Sequence, residues 1–427
     1  MLRPAASALS SSPVAIFGTF KIHTPHHPVP SPQADAANTL KNAYSFRIAG
    51  LDNLRALAIL SVMLYHLGWR MPDSVAPIAK FGWMGVDLFF VLSGFLIASQ
   101  LLKPIRQGRE ISVLGFYRKR AYRILPAYLV VLAVYMLWPA WHEDTGMSPL
   151  WQFLTFTENL FVNYSINHAF SHVWSLCVEE HFYLLLPLIV LALARKPAAW
   201  KTISVLAFFV AVGIASRTYE LLHVLRPLIG SDAFGVKYIE RIYYPTYSRL
   251  DGLLAGVSLA LIRLFRPAWS ALIARRIFLV LLTGLALIAC SVWFFSDRFT
   301  SATGAAAAGT IVGFPILSLG LALLTAALTE RRSWLGRLRV PGAQVVSTLA
   351  FSLYLTHKEV AHLDSLYFAR ITDTRDWHST LFLAATCLIV AAILYLAVER
   401  PFLTLRDRRS GIPTPPVDIE ARIEPAL

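Results

Sequence analysis

From about residue 51 to residue 399 the chain alternates long apolar runs with short polar connections, and each run is long enough to cross a bilayer as a helix of about 20 residues. The runs predict ten helices, at roughly 51–68, 82–102, 121–141, 172–194, 200–223, 247–265, 276–296, 307–329, 343–366 and 378–399. Between the third and fourth, SPLWQFLTFTENLFVNYSIN is apolar but broken by Glu158, Asn159, Asn163 and Asn167, which suits an interfacial or re-entrant segment better than a span. No room remains for a soluble domain of any size. The expected fold class is therefore all-α, a polytopic membrane protein of about ten transmembrane helices spanning residues 46–402. Cytoplasmic disordered tails are expected at 1–45 and 403–427. The first is rich in Ser, Pro, Ala and His, and its one apolar stretch, VAIFGTF, is too short to span. His23, His26 and His27 in HTPHHP read as tail polarity rather than as a metal site.

Composition agrees with a membrane protein: 56% of residues are hydrophobic and 15% charged, with a mean hydropathy of +0.56. Cys177, Cys290 and Cys387 all lie in apolar runs without paired or metal-type spacing, so neither a disulfide framework nor a zinc site is expected. The formal net charge of +14 is accounted for by membrane sidedness, without nucleic acid. Lys and Arg crowd the connection from Lys103 to Arg123 and are absent from residues 142–171, and this alternation persists along most of the chain. Both termini are thereby placed in the cytoplasm, with the lipid bilayer of the inner (plasma) membrane as the first partner.

Ionisable groups inside membrane helices are costly unless paired, so each is a functional candidate. With the orientation above, an outer layer gathers His66, Asp87, Glu179, Glu180, Arg249, Asp251, His357, Lys358 and Glu359 from five helices. A cytoplasmic layer holds Arg55, Arg118, Lys119, Arg120 and Arg123, with Arg120 and Arg123 one turn apart on one helix face. Arg55 and His66 share a face of the first helix, three turns plus roughly 20° and about 16.5 Å apart. Structural alternatives exist for every one: a topology signal for the arginines, an ion pair for Glu179 and Arg249, a packing pair with an arginine for Asp87. Cys177 reads as a small buried residue, and the glycines of GVDLFFVLSGF as close helix contacts.

Taken in order, LDNLRALAILSVMLYH, GVDLFFVLSGFLI, FYRKRAYRILPAY, WSLCVEEHFYLLLP, YSRLDGLLAG, FSLYLTH and VERPF resemble the acyltransferase-3 family of integral membrane O-acyltransferases. The resemblance covers residues 51 to about 402. It implies a ten-helix enzyme that moves acyl groups from cytoplasmic acyl-CoA, a co-substrate rather than a bound cofactor, to hydroxyls of cell-envelope sugars. It also implies functional roles for His66 and for Arg120 and Arg123. The chain ends about 25 residues after VERPF, whereas members with a fused hydrolase-like domain continue, so action alone or with a separate partner is expected. His181 stands where Gln is frequent.

Chemically, imidazole is suited to take the acceptor hydroxyl's proton, and Glu179 or Asp87 is placed to orient it. Arg55, Arg120 and Arg123 are expected to hold the CoA phosphates, because guanidinium groups bind phosphate oxygens bidentately. Trp174, Ser175, Glu180, Arg249, Asp251 and His357 are expected to shape the site or meet the acceptor, a carbohydrate or lipid-linked sugar. No metal is expected. The alternative is a secondary transporter or flippase for an anionic or lipid-linked solute, although no inverted repeat is apparent.

Overall fold

Each of the ten apolar runs forms a helix, and among the described residues there is no strand beyond an isolated bridge between Met147 and Ala169. The computed structural model describes residues 48–409 apart from 196, 297, 299, 300 and 332. The disorder expected for 1–45 and for 410–427 falls outside the described residues. The long helices are α1 (Ala49–Leu67), α2 (Met84–Arg106), α3 (Val113–Leu137), α4 (Trp174–Arg195), α5 (Ala199–Glu220), α6 (Asp251–Phe265), α7 (Ile277–Phe294), α8 (Phe314–Leu328), α9 (Ala343–Tyr367) and α10 (Trp377–Leu394).

By length and composition, seven helical segments among the described residues are able to cross a membrane. An eighth is counted if α6 is taken with Pro267–Arg275, to which it is bent by 105°. The remaining two are α1 and α9. Asp52, Arg55 and His66 dilute the apolar character of α1, and His357, Lys358, Glu359 and Asp364 that of α9. These two helices pack on one another, with Ser347 donating to Asp52 at 3.0 Å.

Helix α2 lies at the centre, against α1, α4, α6 and α8. Its contact with α6 is close because glycine faces backbone: a Cβ on Gly94 would strike the carbonyl of Leu253, and one on Gly256 the carbonyl of Val91. The glycines of GVDLFFVLSGF are thus helix contacts, and Leu54, Ile59, Phe90, Val91 and Leu253 fill the buried space around them.

Two boundaries differ from expectation. Helix α3 starts at Val113 rather than near 121, because the Ser112 side chain accepts from the Gly115 N–H at 3.1 Å and caps it. Arg118, Lys119 and Arg120 are therefore helical and have fixed directions. Helix α10 does not stop near 399: a π turn at Tyr395–Glu399 precedes Pro401, which has no N–H to donate, and the helix continues as Arg400–Arg409. Residues 403–409, expected in the tail, pack on α3, and Arg409 donates to the Tyr122 hydroxyl at 2.6 Å. The broken stretch after α3 folds as two short helices, Leu150–Leu154 and Glu158–Phe161, rather than as a span.

Candidate active site

His66 ends α1 and His357 lies in α9, and the packing of those two helices brings His66 Nδ1 to 2.7 Å from His357 Nε2. Their ring centroids are 5.0 Å apart and their planes 23° from parallel, an end-to-end arrangement in which the two nitrogens face one another. His172, just before α4, stands edge-on to both, at 6.3 Å from His66 and 5.5 Å from His357. His357 and His172 are buried, whereas His66 keeps accessible surface.

Behind the histidines is a polar cluster drawn from three segments. Glu143, in the loop after α3, accepts from Lys358 Nζ at 2.8 Å, the Tyr135 hydroxyl at 2.7 Å and the Phe170 N–H at 3.1 Å. That last bond helps hold Phe170 in the left-handed region, with φ of 59°, where the chain turns to present His172. Glu359, fully buried, is bonded to the Tyr135 hydroxyl. The two carboxylates flank His172, with Glu143 at 3.9 Å from Nδ1 and Glu359 at 3.7 Å from Nε2.

No metal site was expected from the sequence, yet one ligand atom from each of Glu143, His172 and Glu359 falls within 4.8 Å of the others. Two carboxylates and an imidazole are a donor set that suits a divalent ion. The Lys358 ammonium already supplies a positive charge there. Sequence reasoning left His172, Glu143, Glu359 and Tyr135 without roles. His172 was within reach, two residues ahead of the motif residue Trp174, whereas Glu143 lies in a loop with no periodicity to mark it.

On the other side of His66 is a cavity of about 200 Å³ whose wall is aromatic: Tyr65, Trp83, Tyr164, Trp174, Tyr243 and Tyr244. Trp174 stacks on Tyr244 at 5.0 Å and 11°. Ser175 bonds the Tyr354 hydroxyl at 2.7 Å, and Tyr354 in turn bonds the His172 carbonyl. Trp174, Ser175 and His357 thus sit together with His66, as expected.

The carboxylates expected to orient His66 are engaged elsewhere. Glu179 accepts from Ser93 at 2.7 Å and lies 2.9 Å from the Tyr183 hydroxyl. It stands four residues beyond Ser175 on α4, about 6 Å further along the axis, which carries it out of the histidine layer. Arg120 and Arg55 are near enough to act on it electrostatically, and Arg120 lies 4.1 Å over the Tyr183 ring. Glu180 neighbours the same arginine. Asp87 pairs with Arg249 at 2.8 Å, and that guanidinium also lies 4.0 Å over Phe314 and 4.5 Å over Tyr243. The sequence alternative of a packing pair with an arginine describes Asp87, while the Glu179–Arg249 pair does not form. Asp251 is bound by fully buried Arg217 at 2.6 Å, a partner the sequence did not single out. His181 meets Thr246 at 2.7 Å.

Arg120 and Arg123 also part company. Arg123 pairs with Glu399 of the VERPF motif at 2.6 Å, and Glu399 further accepts from Ser352 at 3.0 Å. Arg120 points instead to Tyr183, and its Nε is buried without a hydrogen-bond partner. Two guanidinium groups one turn apart therefore have different surroundings, one neutralised by a buried carboxylate and one left with donor capacity.

A helical membrane bundle that keeps a partly accessible imidazole at an aromatic cavity, with one arginine, Arg55, further along the same helix and others on α3, defines a class of integral membrane protein with an internal polar site. The profile described as "Acyltransferase domain", that of the acyltransferase-3 family, matches residues 48–398, and the chain belongs to this family. It is 26% identical over 369 residues to the peptidoglycan O-acetyltransferase OatA of Listeria monocytogenes, covering 83% of this chain and 55% of the relative. It is 28% identical over 380 residues to the putative peptidoglycan O-acetyltransferase YrhL of Bacillus subtilis, covering 84% and 55%. With the O-acetyltransferase OatA of Staphylococcus aureus (strain NCTC 8325 / PS 47) the identity is 29% over 237 residues, covering 52% and 36%. The chain spans about half the length or less of these curated relatives. No solved structure matches it.

Proposed function

We propose that this protein is a membrane O-acyltransferase that moves an acyl group, acetyl being the first to test, from cytoplasmic acyl-CoA to a hydroxyl of a cell-envelope glycan. The observation that carries this is His66: a partly accessible imidazole, held at Nδ1, in the wall of an aromatic cavity. Family membership and the names of the relatives favour this chemistry over the transport of a solute. Flat aromatic faces suit the apolar faces of a pyranose ring, as Trp174 and Tyr244 stacked in that wall would provide.

In this mechanism His66 takes the proton of the acceptor hydroxyl while its oxygen attacks the thioester carbonyl. The C–S bond then breaks, the ester forms, and the departing CoA thiolate receives the proton from the imidazolium. Arg55 and Arg120 are the proposed phosphate anchors, and the pantetheine arm runs along α1 over the about 16.5 Å that separates Arg55 from His66. Arg123 is assigned to holding α3 on α10 through Glu399 rather than to the donor. We further propose ten spans, both termini in the cytoplasm and residence in the inner membrane, on the strength of the Lys/Arg alternation.

Purified protein in nanodiscs, given radiolabelled acetyl-CoA and soluble peptidoglycan fragments, should label the glycan. His66→Ala should abolish labelling while acetyl-CoA affinity, measured by calorimetry, stays within a few-fold. Full transfer by the His66 variant would end the proposal.

A further inference from the structure

The hydrogen bonds around His357 determine which nitrogen of His66 is the base. His357 Nδ1 lies 3.0 Å from the Leu353 carbonyl and 3.1 Å from the Tyr354 carbonyl, both on its own helix. Carbonyl oxygens only accept, so His357 Nδ1 carries a hydrogen. A fully buried ring whose bonded partners are backbone carbonyls and another imidazole is neutral, since a charge there would have no bonded carboxylate to offset its desolvation. His357 Nε2 therefore holds a lone pair. Only one hydrogen fits in the 2.7 Å contact with His66 Nδ1, and it belongs to His66. In a neutral imidazole a hydrogen on Nδ1 leaves the lone pair on Nε2.

We infer that His357 is a positioning residue that fixes His66 in the Nδ1–H tautomer and so makes His66 Nε2 the atom that removes the acceptor proton. This deepens the acyl-transfer proposal and rests on it for the chemical step alone; the tautomer follows from the hydrogen bonds. The arrangement replaces the carboxylate that orients imidazole in hydrolase triads with a second imidazole, itself oriented by two backbone carbonyls. The absence of a carboxylate has a chemical sense. When Nε2 takes the acceptor proton, the imidazolium finds a neutral hydrogen-bond acceptor at Nδ1 rather than an anion, and gives the proton up to the thiolate more readily. The rings meet end to end with their planes 23° apart, so the hydrogen bond lies close to the plane of both and resists rotation of the His66 ring.

The test is nitrogen NMR of protein labelled with ¹⁵N-histidine in nanodiscs, with the His66 signals assigned by their loss in His66→Gln. Protonated and lone-pair nitrogens of neutral imidazole are widely separated in shift, so the tautomer is read without any assay of activity. Wild type should show Nδ1 protonated and Nε2 bare. His357→Gln, whose amide oxygen can accept from Nδ1–H, should keep that tautomer and most of the turnover. His357→Phe, which fills the space without accepting, should mix the tautomers and lower kcat about 10²-fold, with KM for the glycan changed less than about three-fold. A proton on His66 Nε2 in wild type overturns the inference, as does a Phe variant equal to the Gln variant in both tautomer and turnover. If the tautomers behave as stated but no preparation transfers acyl groups, the tautomer assignment to His357 stands, while the base role of Nε2 falls with the acyltransferase proposal.

Discussion

Asp87 and Arg249 are each almost wholly buried and bonded to one another, so neither can be removed alone without stranding a charge. Asp87→Ala should cost about 3–5 kcal/mol of stability, read as a lowered unfolding midpoint in detergent. Adding Arg249→Met should recover much of the loss; a catalytic Asp87 would instead leave stability intact and lose turnover in the single variant. Glu158 is the opposite case, a buried carboxyl with neither oxygen hydrogen-bonded, in a short helix outside the spans. Burial pushes it well above the ordinary carboxylate range, and the charge of Lys358 offsets this only in part. Because the folded group keeps its proton to higher pH than the unfolded one, its contribution to stability is complete at acid pH and is lost as the pH rises. Glu158→Gln, neutral at every pH, should match wild type near pH 4 and exceed its unfolding temperature by a few degrees at pH 7–8; equal temperatures at both pH values would refute this. At this scale the sequence was informative about kind but not about partner. His66, Asp87 and Arg249 stood out because apolar helices rarely tolerate such side chains, but Asp87 meets an arginine 162 positions away and His66 a histidine 291 away. No periodicity encodes such pairings.

Elements were easier to read, because an apolar run of about 20 residues has few other fates in a membrane protein. All ten helices occupy expected positions, and the errors fall where local chemistry overrides hydropathy: the Ser112 cap draws the basic start of α3 into the helix, and the π turn carries α10 past Pro401. Those two corrections explain why Arg120 and Arg123 differ. Both extended ends belong to the α3–α10 contact that Arg123 and Glu399 cross. Arg123→Ala should lower stability, with partial recovery on adding Glu399→Gln, because the variant leaves a buried carboxylate unpaired. Arg120→Ala should leave stability nearly unchanged and weaken acyl-CoA binding by about 1.5–3 kcal/mol, the worth of a charge-assisted hydrogen bond. If both variants weaken acyl-CoA equally at unchanged stability, the two arginines have the same job and the division drawn here is wrong. The α2–α6 contact sets a second element-scale expectation. Gly94→Leu has no space against the Leu253 carbonyl and should cost at least about 1–3 kcal/mol by forcing the two helices apart.

For the molecule as a whole, the two polar regions make sense only if donor and acceptor approach from opposite sides. The arginine region lies toward the end of α1 that carries Arg55, and the aromatic cavity lies at the end that carries His66. If the Arg55 end faces the cytoplasm, acyl-CoA reaches the arginines directly while the glycan reaches His66 from outside, and neither substrate has to cross the membrane. Charges near the helix ends argue for that orientation: residues 103–123, from the end of α2 to the start of α3, are rich in Lys and Arg, while residues 142–171 contain none. Gln107 and Asp144 are exposed in those two loops, so cysteines placed there report the orientation without disturbing the core. The native Cys177 and Cys387 are buried, and only Cys290 needs replacement as a precaution. In intact cells, Asp144→Cys should react with a membrane-impermeant maleimide, whereas Gln107→Cys should react only after the membrane is opened. The reverse pattern would put the arginines outside, where no acyl-CoA is available, and the donor route along α1 would have to be abandoned even if His66 proved essential for transfer.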